Sequence, residues 1–389
     1  MYLMSKNIIG NKQKILSIIN TKAIKNNRSM FNNDRANNDN LKKTVFISQS
    51  NNIYKNLALV DWLYRYSNFT NNHILLLWKN NLSIEIGKNN NPWLDANCQT
   101  YDDNEMNIVR RNTDGKTVYH NNENLNMSFF TPNTCYDKHN NIEIISNALY
   151  KKFGIYYDDN VNSGNFNILC SALKIGQANA YHHCSIRVNN DNINQGSTFE
   201  KNKNNTTKST ASPLSNLYDV NRNINRDILV SAIGWEYLRT SSIKSENGGT
   251  MPTQKQQGFQ MINPSEDWFP GLETLEKKYK SWQWNYGKTP KFTITRLLKF
   301  PVDSKNTSWF HSLKLSLEVE NGIVVEIKLS LPPNFVSNDK NQDASVITNL
   351  RGSKYGREIT DKIVRALGCT SVPQDVIQTA DKSNVAATQ

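Results

Sequence analysis

The strongest chemical character in the chain lies in residues 110–120, where two adjacent arginines precede a glycine-containing turn and a short β-branched run. We predict that Arg111 binds an anionic group such as a phosphate, because a guanidinium group presents a fixed fork of hydrogen-bond donors. Arg110 is predicted to be structural, since adjacent residues of a strand point to opposite faces. Gly115 supplies the turn. The segment therefore indicates electrostatic binding of an anionic group beside a sheet, with a surface ion pair as the alternative role for Arg111.

Six segments of the chain carry the motifs of one known family: residues 45–50, 56–58, 91–93, 110–120, 180–184 and 282–292. They make the chain similar to the lipoate-protein ligase and lipoyltransferase family, in particular to the mitochondrial lipoyltransferases. The resemblance implies an α+β fold, with a catalytic domain of the biotin and lipoate protein ligase type on a mixed or antiparallel sheet. A small C-terminal α/β accessory domain would follow it.

The same resemblance implies an acyltransferase that carries out protein lipoylation. A lipoyl or octanoyl group would pass from an activated donor, lipoyl-AMP or a lipoylated glycine-cleavage H protein, to a lysine on the lipoyl domains of 2-oxoacid dehydrogenase E2 subunits. Lipoyl-AMP, or lipoate with ATP and Mg, would be substrates, and no tightly bound cofactor is expected. The protein is expected to be a monomer. The competing hypothesis is a catalytically impaired family member that binds acyl donor or lipoyl domain without turnover.

Ligand contacts in relatives fall, by the resemblance, on ten residues of this chain: Arg111, Gly115, Lys116, Thr117, Val118, Tyr119, Lys152, Ser185, Thr210 and Ser212. The family also has a lysine that contacts the acyl carbonyl and phosphate, and counting back from the matched residues 180–184 places Asn167 there. Asp114, Gly115 and Lys116 stand where the family has three glycines. Because charge-assisted hydrogen bonds are about twice as strong as neutral ones, the amide of Asn167 is the main reason for the impaired alternative.

Basic residues outnumber acidic residues, 46 to 34, so the chain has a net charge of +12 and a pI of about 9.3. Such a charge suits nucleic acid, an anionic membrane surface or an acidic protein partner. Residues 1–33 contain six basic residues interleaved with isoleucine and leucine, and no aspartate or glutamate. This composition resembles a mitochondrial transit segment, predicted over residues 1–43 and directed to the matrix, with a disordered basic tail as the alternative. Once the leader explains the charge, no nucleic-acid partner is expected.

Cysteine and hydropathy patterns exclude several other classes. The five cysteines have no Cys-x-x-Cys spacing and are odd in number, which argues against a zinc site and a disulfide framework. His182 and His183 diverge on a regular strand and cannot chelate one metal together, so no metal site is expected. The sequence has no run of 18 apolar residues, as a spanning helix would need.

Periodicity predicts the elements that position these residues. Helical spacing covers residues 51–66, 142–153, 228–238, 345–350 and 358–367. Residues 73–78 and 82–86 are predicted to form a hairpin, residues 117–119 and 124–130 a half-buried antiparallel sheet, and residues 180–188 a strand with Tyr181, His183 and Ser185 on one face.

The remaining segments suggest a division of the chain. Residues 189–213 are predicted to be a long mobile loop. Trp282 and Trp284 are predicted to share one sheet face, and three strands around a turn at residues 320–322 begin a last domain. The predicted domains are residues 44–292, the catalytic domain, and residues 293–389, the accessory domain.

Overall fold

Helices and strands are mixed throughout the chain as an α+β fold in the computed structural model. The structure describes residues 41–95, 106–115, 117–120, 122–156, 168–188, 217–240, 255–301, 310–330, 349–367, 370–371 and 376–379. The described residues of Met1–Gly87 and Glu105–Lys280 form one compact unit, and those of Lys88–Asn104 and Ser281–Gln389 form a second. The domain boundary at residue 292 stays a prediction; the second compact unit begins earlier, at Ser281, and includes a segment from much earlier in the chain.

The strands are numbered in chain order. They are β1 (Lys42–Ser48), β2 (Asn72–Trp78), β3 (Ser83–Ile86), β4 (Asn107–Arg110), β5 (Val118–His120), β6 (Asn124–Pro132), β7 (Ile168–Ile175), β8 (Asn179–Arg187), β9 (Lys255–Ile262), β10 (Phe292–Pro301), β11 (Phe310–Glu320), β12 (Ile323–Ser330), β13 (Thr370–Ser371) and β14 (Val376–Thr379). The helices are α1 (Ile53–Tyr66), α2 (Pro92–Asp95), α3 (Lys138–Phe153), α4 (Leu217–Val220), α5 (Arg226–Arg239), α6 (Leu272–Lys280), α7 (Trp282–Asn285) and α8 (Arg357–Ala366).

The first unit is organised around a six-stranded mixed sheet in the order β7-β8-β6-β2-β1-β9. Strand β1 is parallel to both β2 and β9, while the pairs β2–β6, β6–β8 and β8–β7 are antiparallel. A separate three-stranded sheet has the order β4-β3-β5, with β3 parallel to β4 and antiparallel to β5. These two sheets carry the residues of the candidate site.

Local sequence signals set the ends of the long helices. The Asn52 side chain accepts hydrogen bonds from the backbone amides of Tyr54 and Lys55 and so caps α1. Asp137 caps α3 in the same way, through two backbone amides, and Gly154 ends that helix with a φ of 69°. Glycine favours this left-handed conformation because it has no Cβ. The predicted helices over residues 51–66 and 142–153 are therefore confirmed, within a few residues at their starts.

Helices α3 and α5 pack on one face of the six-stranded sheet and form the main hydrophobic core there. The sheet contributes alternate residues of β2, β6 and β8, and the helices contribute one apolar face each: Leu75, Leu77, Leu125, Met127, Phe129, Cys184, Ile186, Ile144, Ile145, Leu149, Leu229, Ile233 and Tyr237. Because strand side chains alternate, the intervening residues of β2, β6 and β8 point to the opposite face.

The second unit contains a five-stranded sheet in which β12, β11, β10 and β13 are neighbours in that order and β14 also pairs with β10. The turn between β11 and β12 has positive φ at Asn321 and Gly322, 51° and 73°, as a two-residue hairpin turn requires. The predicted strands around that turn, and the helix at residues 358–367, are confirmed. Trp93 of α2 packs in the core of this unit with Tyr286, Phe292 and Tyr355.

Three predicted details are wrong. Strands β2 and β3 do not form a hairpin but belong to different sheets. Strand β6 is buried from Asn124 to Phe130 on both faces, so its sheet is not half-buried there. Trp282 and Trp284 lie on the short helix α7, where the Ser281 side chain accepts a hydrogen bond from the Trp284 amide, and not on a strand. The loop at residues 189–213 and all but the end of the helix at 345–350 lie outside the described residues.

Candidate functional site

One face of the six-stranded sheet is polar where β2, β6 and β8 run side by side. Ser128 is paired with His183 in the register of β6 and β8, with the Ser128 hydroxyl 3.1 Å from His183 Nδ1. Trp78 covers this pair, since its indole nitrogen donates to Ser128 Oγ at 3.5 Å and its ring centroid lies 5.2 Å from that of His183. All three side chains are buried. The predicted common face of Tyr181, His183 and Ser185 is confirmed by this register.

The three-stranded sheet contributes a buried carboxylate and two basic side chains. Glu85 lies on β3, and its two carboxylate oxygens contact Arg111 Nη1 at 3.5 Å and His120 Nε2 at 3.1 Å. None of the three side chains is more than 2% exposed. A buried charge is costly unless it is paired and hydrogen-bonded. Removal of any one of these three side chains would therefore leave the others buried without full compensation.

The charge state of this group follows from its surroundings. Burial alone would raise the pKa of Glu85, but the hydrogen bond from His120 and the neighbouring positive charges outweigh it and lower the pKa to about 2. Burial lowers the pKa of His183 to about 4. At neutral pH, therefore, Glu85 is ionised and His183 is uncharged, and the carboxylate is stabilised by His120 and Arg111.

Residues of the two sheets interact in a polar layer, defined as Glu85, Arg111, His120, Ser128 and His183. The charge of Glu85 acts on His183 of the opposite sheet, and the Tyr181 hydroxyl of that sheet is hydrogen-bonded to Thr113, two residues after Arg111. Motif segments that are distant in sequence thus meet at one place in the fold.

Beside the polar layer lie two polar side chains with unused hydrogen-bonding capacity. Asn126 and Ser185 are paired in the register of β6 and β8 and are at most 2% exposed. Among the residues that the structure describes, the amide oxygen and nitrogen of Asn126 and the hydroxyl of Ser185 have no hydrogen-bond partner. Buried polar groups are costly when unsatisfied, so these atoms are candidates for binding a polar ligand group.

The turn after Arg111 has the geometry that the sequence predicts. Gly115 has a φ of 120°, which favours glycine. The guanidinium of Arg111 donates from Nε and Nη2 to the Asp114 carbonyl oxygen, at 3.4 and 3.2 Å, and thereby closes the turn. Val118 is buried in β5, and Thr117 and Tyr119 are half-buried beside it. Residues 118 and 119 belong to the strand that pairs with the strand of Glu85, and Ser185 lies on β8 of the six-stranded sheet.

Arg111 has a more structural environment than the sequence predicts. Its guanidinium does not face solvent: it is 2% exposed and contacts Glu85 and the turn carbonyl. Arg110 is also fully buried and donates to the Gly87 carbonyl at 3.2 Å, as a structural residue would. The predicted phosphate contact of Arg111 stays a prediction. A bound phosphate would have to contact the same guanidinium group that is already paired with Glu85.

Lys152 is not brought to the polar layer. It lies exposed on α3, where it lines a groove of about 650 Å³ together with Trp235, Glu236 and Arg239 of α5. This groove is on the helix-covered side of the six-stranded sheet, and the polar layer is on the other side. Lys116, Asn167, Thr210 and Ser212 were also predicted to be site residues and lie outside the described part of the chain.

Sequence reasoning missed Glu85 and did not assign Asn126 to the site. A charged residue inside a short apolar strand, as in the Ile84-Glu85-Ile86 run, is a signal for a buried and paired carboxylate. Asn126 lies two residues before Ser128 on the same strand face, and the alternation of polar residues in β6 was the available signal. It also missed Asp61 of α1, a carboxylate only 1% exposed.

The described residues show neither a metal-binding cluster nor a membrane-spanning helix. Within these ranges no group of three or more histidine, cysteine, aspartate or glutamate side chains is placed to hold a metal ion. Over the same part of the chain, the helices are too short or too polar to cross a bilayer. Cys135 and Cys184 are free thiols.

Two buried histidines make the fold sensitive to acid. The pKa values of His73 and His183 are each lowered by burial to about 4, against about 6.5 when unfolded. The unfolded chain therefore binds more protons between those values, and the free energy of unfolding should fall as pH decreases from 6.5 to 4, by up to roughly 3 kcal/mol for each histidine. Glu85 adds a further loss as pH falls from 4.5 towards 2. Denaturant titration at pH 7, 6 and 5 measures this slope.

Replacement of one histidine separates its contribution. His183→Gln removes the titrating group and should flatten the slope, whereas His139→Gln, at an exposed helix position, should leave it unchanged. Equal slopes for both variants would show that His183 does not remain neutral in the folded protein.

The chain is similar in sequence to proteins of one functional group. Residues 52–235 match the family model described as Lipoyl protein ligase A/B catalytic domain. Lipoyl amidotransferase LIPT1, mitochondrial, of Mus musculus is 30% identical over 308 residues, which cover 75% of this chain and 77% of that protein. The Homo sapiens protein of the same name is 28% identical over 86% of this chain and 89% of its own length.

Bacterial and structural relatives have lower coverage or similarity. Lipoate-protein ligase A of Psychrobacter cryohalolentis is 30% identical over 65% of this chain and 75% of its own. The crystal structure of P. falciparum LipL1 in complex with lipoate aligns with a TM-score of 0.47 and 21% identity, covering 84% of this chain and 94% of that one.

Proposed function

Because the chain belongs to the lipoate-protein ligase and lipoyltransferase family, we propose that it transfers a lipoyl or octanoyl group from an activated donor to the acceptor lysine of lipoyl domains on 2-oxoacid dehydrogenase E2 subunits. The observation that carries this proposal is the polar layer, together with the buried, unsatisfied groups of Asn126 and Ser185 beside it. All of these residues lie within the segment matched by the family model.

The reaction needs positioning and electrostatics from the protein. The neutral amine of the acceptor lysine attacks the acyl carbonyl, a C–N bond forms, and the bond to the leaving group breaks. With lipoyl-AMP as donor, AMP leaves and the amine loses a proton. No covalent nucleophile on the enzyme is required, and preorganised donors supply the stabilisation of developing charge. Arg111 contributes positive charge, and Asn126 and Ser185 contribute hydrogen bonds to the acyl donor.

The donor is lipoyl-AMP, made from lipoate and Mg-ATP or supplied ready-made, or a lipoylated glycine-cleavage H protein. Its ligand contacts comprise Arg111, residues 115–119 and Ser185, with the further predicted contacts Lys152, Thr210 and Ser212. Lys152 fits this set least well, because its helix packs on the opposite side of the sheet. The protein acts as a monomer without a resident cofactor.

A mitochondrial location is supported by the names of the mouse and human relatives, and residues 1–43 supply the transit segment that directs the protein to the matrix. Fusing residues 1–43 to a fluorescent protein tests this. Accumulation of the fusion in the cytosol would oppose it.

The deciding experiment is mass detection of an added lipoyl or octanoyl group on a purified lipoyl domain. The protein is incubated with lipoyl-AMP, with lipoate and Mg-ATP, or with a lipoylated H protein. We expect a mass increase with at least one donor, and none when the acceptor lysine is replaced by arginine. Failure with every donor would refute the transferase function.

The alternative is a family member that binds donor or lipoyl domain without turnover. Asn167 at the position of the family lysine, and Asp114 and Lys116 in place of two glycines, favour it. Binding of lipoyl-AMP with no transfer in the assay above would identify this alternative.

A further inference from the structure

A second charged cluster lies next to the turn that follows Arg111. The Asp61 carboxylate of α1 is only 1% exposed and accepts two hydrogen bonds from Arg65, one turn along the same helix, at 3.0 and 2.9 Å. Lys278 of α6 lies 3.3 Å away and Lys174 of β7 lies 3.9 Å away. We call these four residues the Asp61 cluster. It joins three elements that are far apart in sequence.

The Asp61 cluster carries excess positive charge. Three cations share one carboxylate, so the four residues together have a net charge of +2. Burial lowers the pKa of Lys278, and the nearby charge of Arg65 acts in the same direction while Asp61 opposes both. Like charges held close together repel each other, so an added negative charge outside the cluster would be stabilised there.

The position of the Asp61 cluster ties it to the candidate site. Asn112, which directly follows Arg111, donates from its amide to Asp61 Oδ1 at 3.1 Å. Tyr181, whose hydroxyl is bonded to Thr113 of the same turn, experiences the charges of both Asp61 and Arg111. The cluster is therefore linked to the turn after Arg111 through Asn112, and to β8 through Tyr181.

The exposure of the three cations indicates that the Asp61 cluster is a surface for a macromolecule and not a pocket for a small anion. Asp61 already occupies the centre of the cluster, so a small anion has no place among the three cations. Their side chains nevertheless remain 42%, 25% and 27% exposed for Arg65, Lys174 and Lys278. Tyr66, 46% exposed, lies beside them at the end of α1 and offers the kind of aromatic surface that is enriched in protein interfaces.

We propose that the Asp61 cluster is the docking surface for an acidic face of the acceptor protein domain, which it holds with its lysine directed to the polar layer. The proposal rests on the proposed function for the identity of the acceptor. Complementary charge at the edge of an interface mainly speeds association and fixes orientation, and its effect weakens with salt. Asp61 acts as a positioning residue, since it gathers the cations and holds Asn112.

The test measures binding and transfer separately with a purified lipoyl domain. Lys278→Gln should raise the dissociation constant about threefold, and the double variant Arg65→Gln, Lys278→Gln about tenfold, at low ionic strength. The difference from the wild type should disappear near 0.5 M salt. The rate of transfer at saturating acceptor and the affinity for lipoyl-AMP should remain unchanged.

Lys277→Gln is the matched control, because it removes the same charge from the neighbouring, exposed position of α6. If Lys277→Gln weakens binding as much as Lys278→Gln, the effect is one of net charge and the docking surface is wrong. Binding that is equally strong in the double variant would also overturn it. If the lipoyl domain binds in a way that depends on salt and on Lys278, but no transfer occurs, the proposed activity is wrong and the docking surface is supported. Denaturant titration of each variant checks that the free energy of unfolding is not lowered by the loss of a positive partner of the buried Asp61 carboxylate.

Discussion

Replacing Arg111 with alanine is expected to abolish lipoyl transfer, with a rate loss of at least about a hundredfold, and to lower the free energy of unfolding by about 3–5 kcal/mol. The second effect follows from the structure, since the variant leaves the Glu85 carboxylate buried with one fewer positive partner. The first follows from the loss of positive charge at the site. Transfer kinetics and denaturant titration measure the two effects independently.

A double variant separates these two roles of Arg111. In Glu85→Gln, Arg111→Ala the buried charge is gone, so part of the lost stability should return while transfer stays low. Arg351→Ala, the same substitution at an exposed position, should change neither quantity. Full recovery of transfer in the double variant would show that Arg111 serves only to neutralise Glu85.

Replacing Asn167 with lysine is expected to increase the rate of transfer at saturating donor by at least about tenfold, because a charged donor to an acyl carbonyl or phosphate is much stronger than an amide. The resemblance predicts that relatives have a lysine at this position. A large gain would mean that this chain is a slowed enzyme with the rest of its site intact. Single-turnover transfer from lipoyl-AMP is the appropriate measurement.

Asn162→Lys, five residues earlier in the sequence, is the control for the added positive charge. It should leave the rate unchanged. If Asn167→Lys also has no effect, the site is arranged differently from that of the relatives, and binding without turnover becomes the better description.

Helix positions and one strand face were predictable because their signals are local. The helices α1 and α3 show both apolar periodicity and a side-chain cap, Asn52 and Asp137, one residue before each begins. The alternation of Tyr181, His183 and Ser185 needs only the period of two along a strand. Family motifs pointed to residues 110–120 and 180–184, and residues of these two segments do interact at the polar layer of the candidate site.

Long-range contacts were not predictable from these signals. Residues 79–81 resemble a hairpin turn, but the Asn56 amide donates to the Lys79 carbonyl at 2.8 Å and to Asn80 Oδ1 at 3.1 Å. The start of α1 thereby holds this segment, and β3 joins another sheet. Likewise, Glu85 and Arg111 are 26 residues apart, and nothing in either local segment indicates their pairing. The prediction that Trp282 and Trp284 share a sheet face was wrong for a different reason. Their helix, Trp282–Asn285, has only four residues, too few for its sequence pattern to distinguish a helix from a strand.

Trp93 has a consequence for how this protein can be divided. The tryptophan comes from a segment that interrupts the first unit in sequence, yet its ring packs with Tyr286, Phe292 and Tyr355 in the core of the second. A shortened gene that stops after residue 280 would deprive this indole of all three aromatic neighbours. Exchange of the whole second unit between proteins would therefore require two separate segments, residues 88–104 as well as residues 281–389.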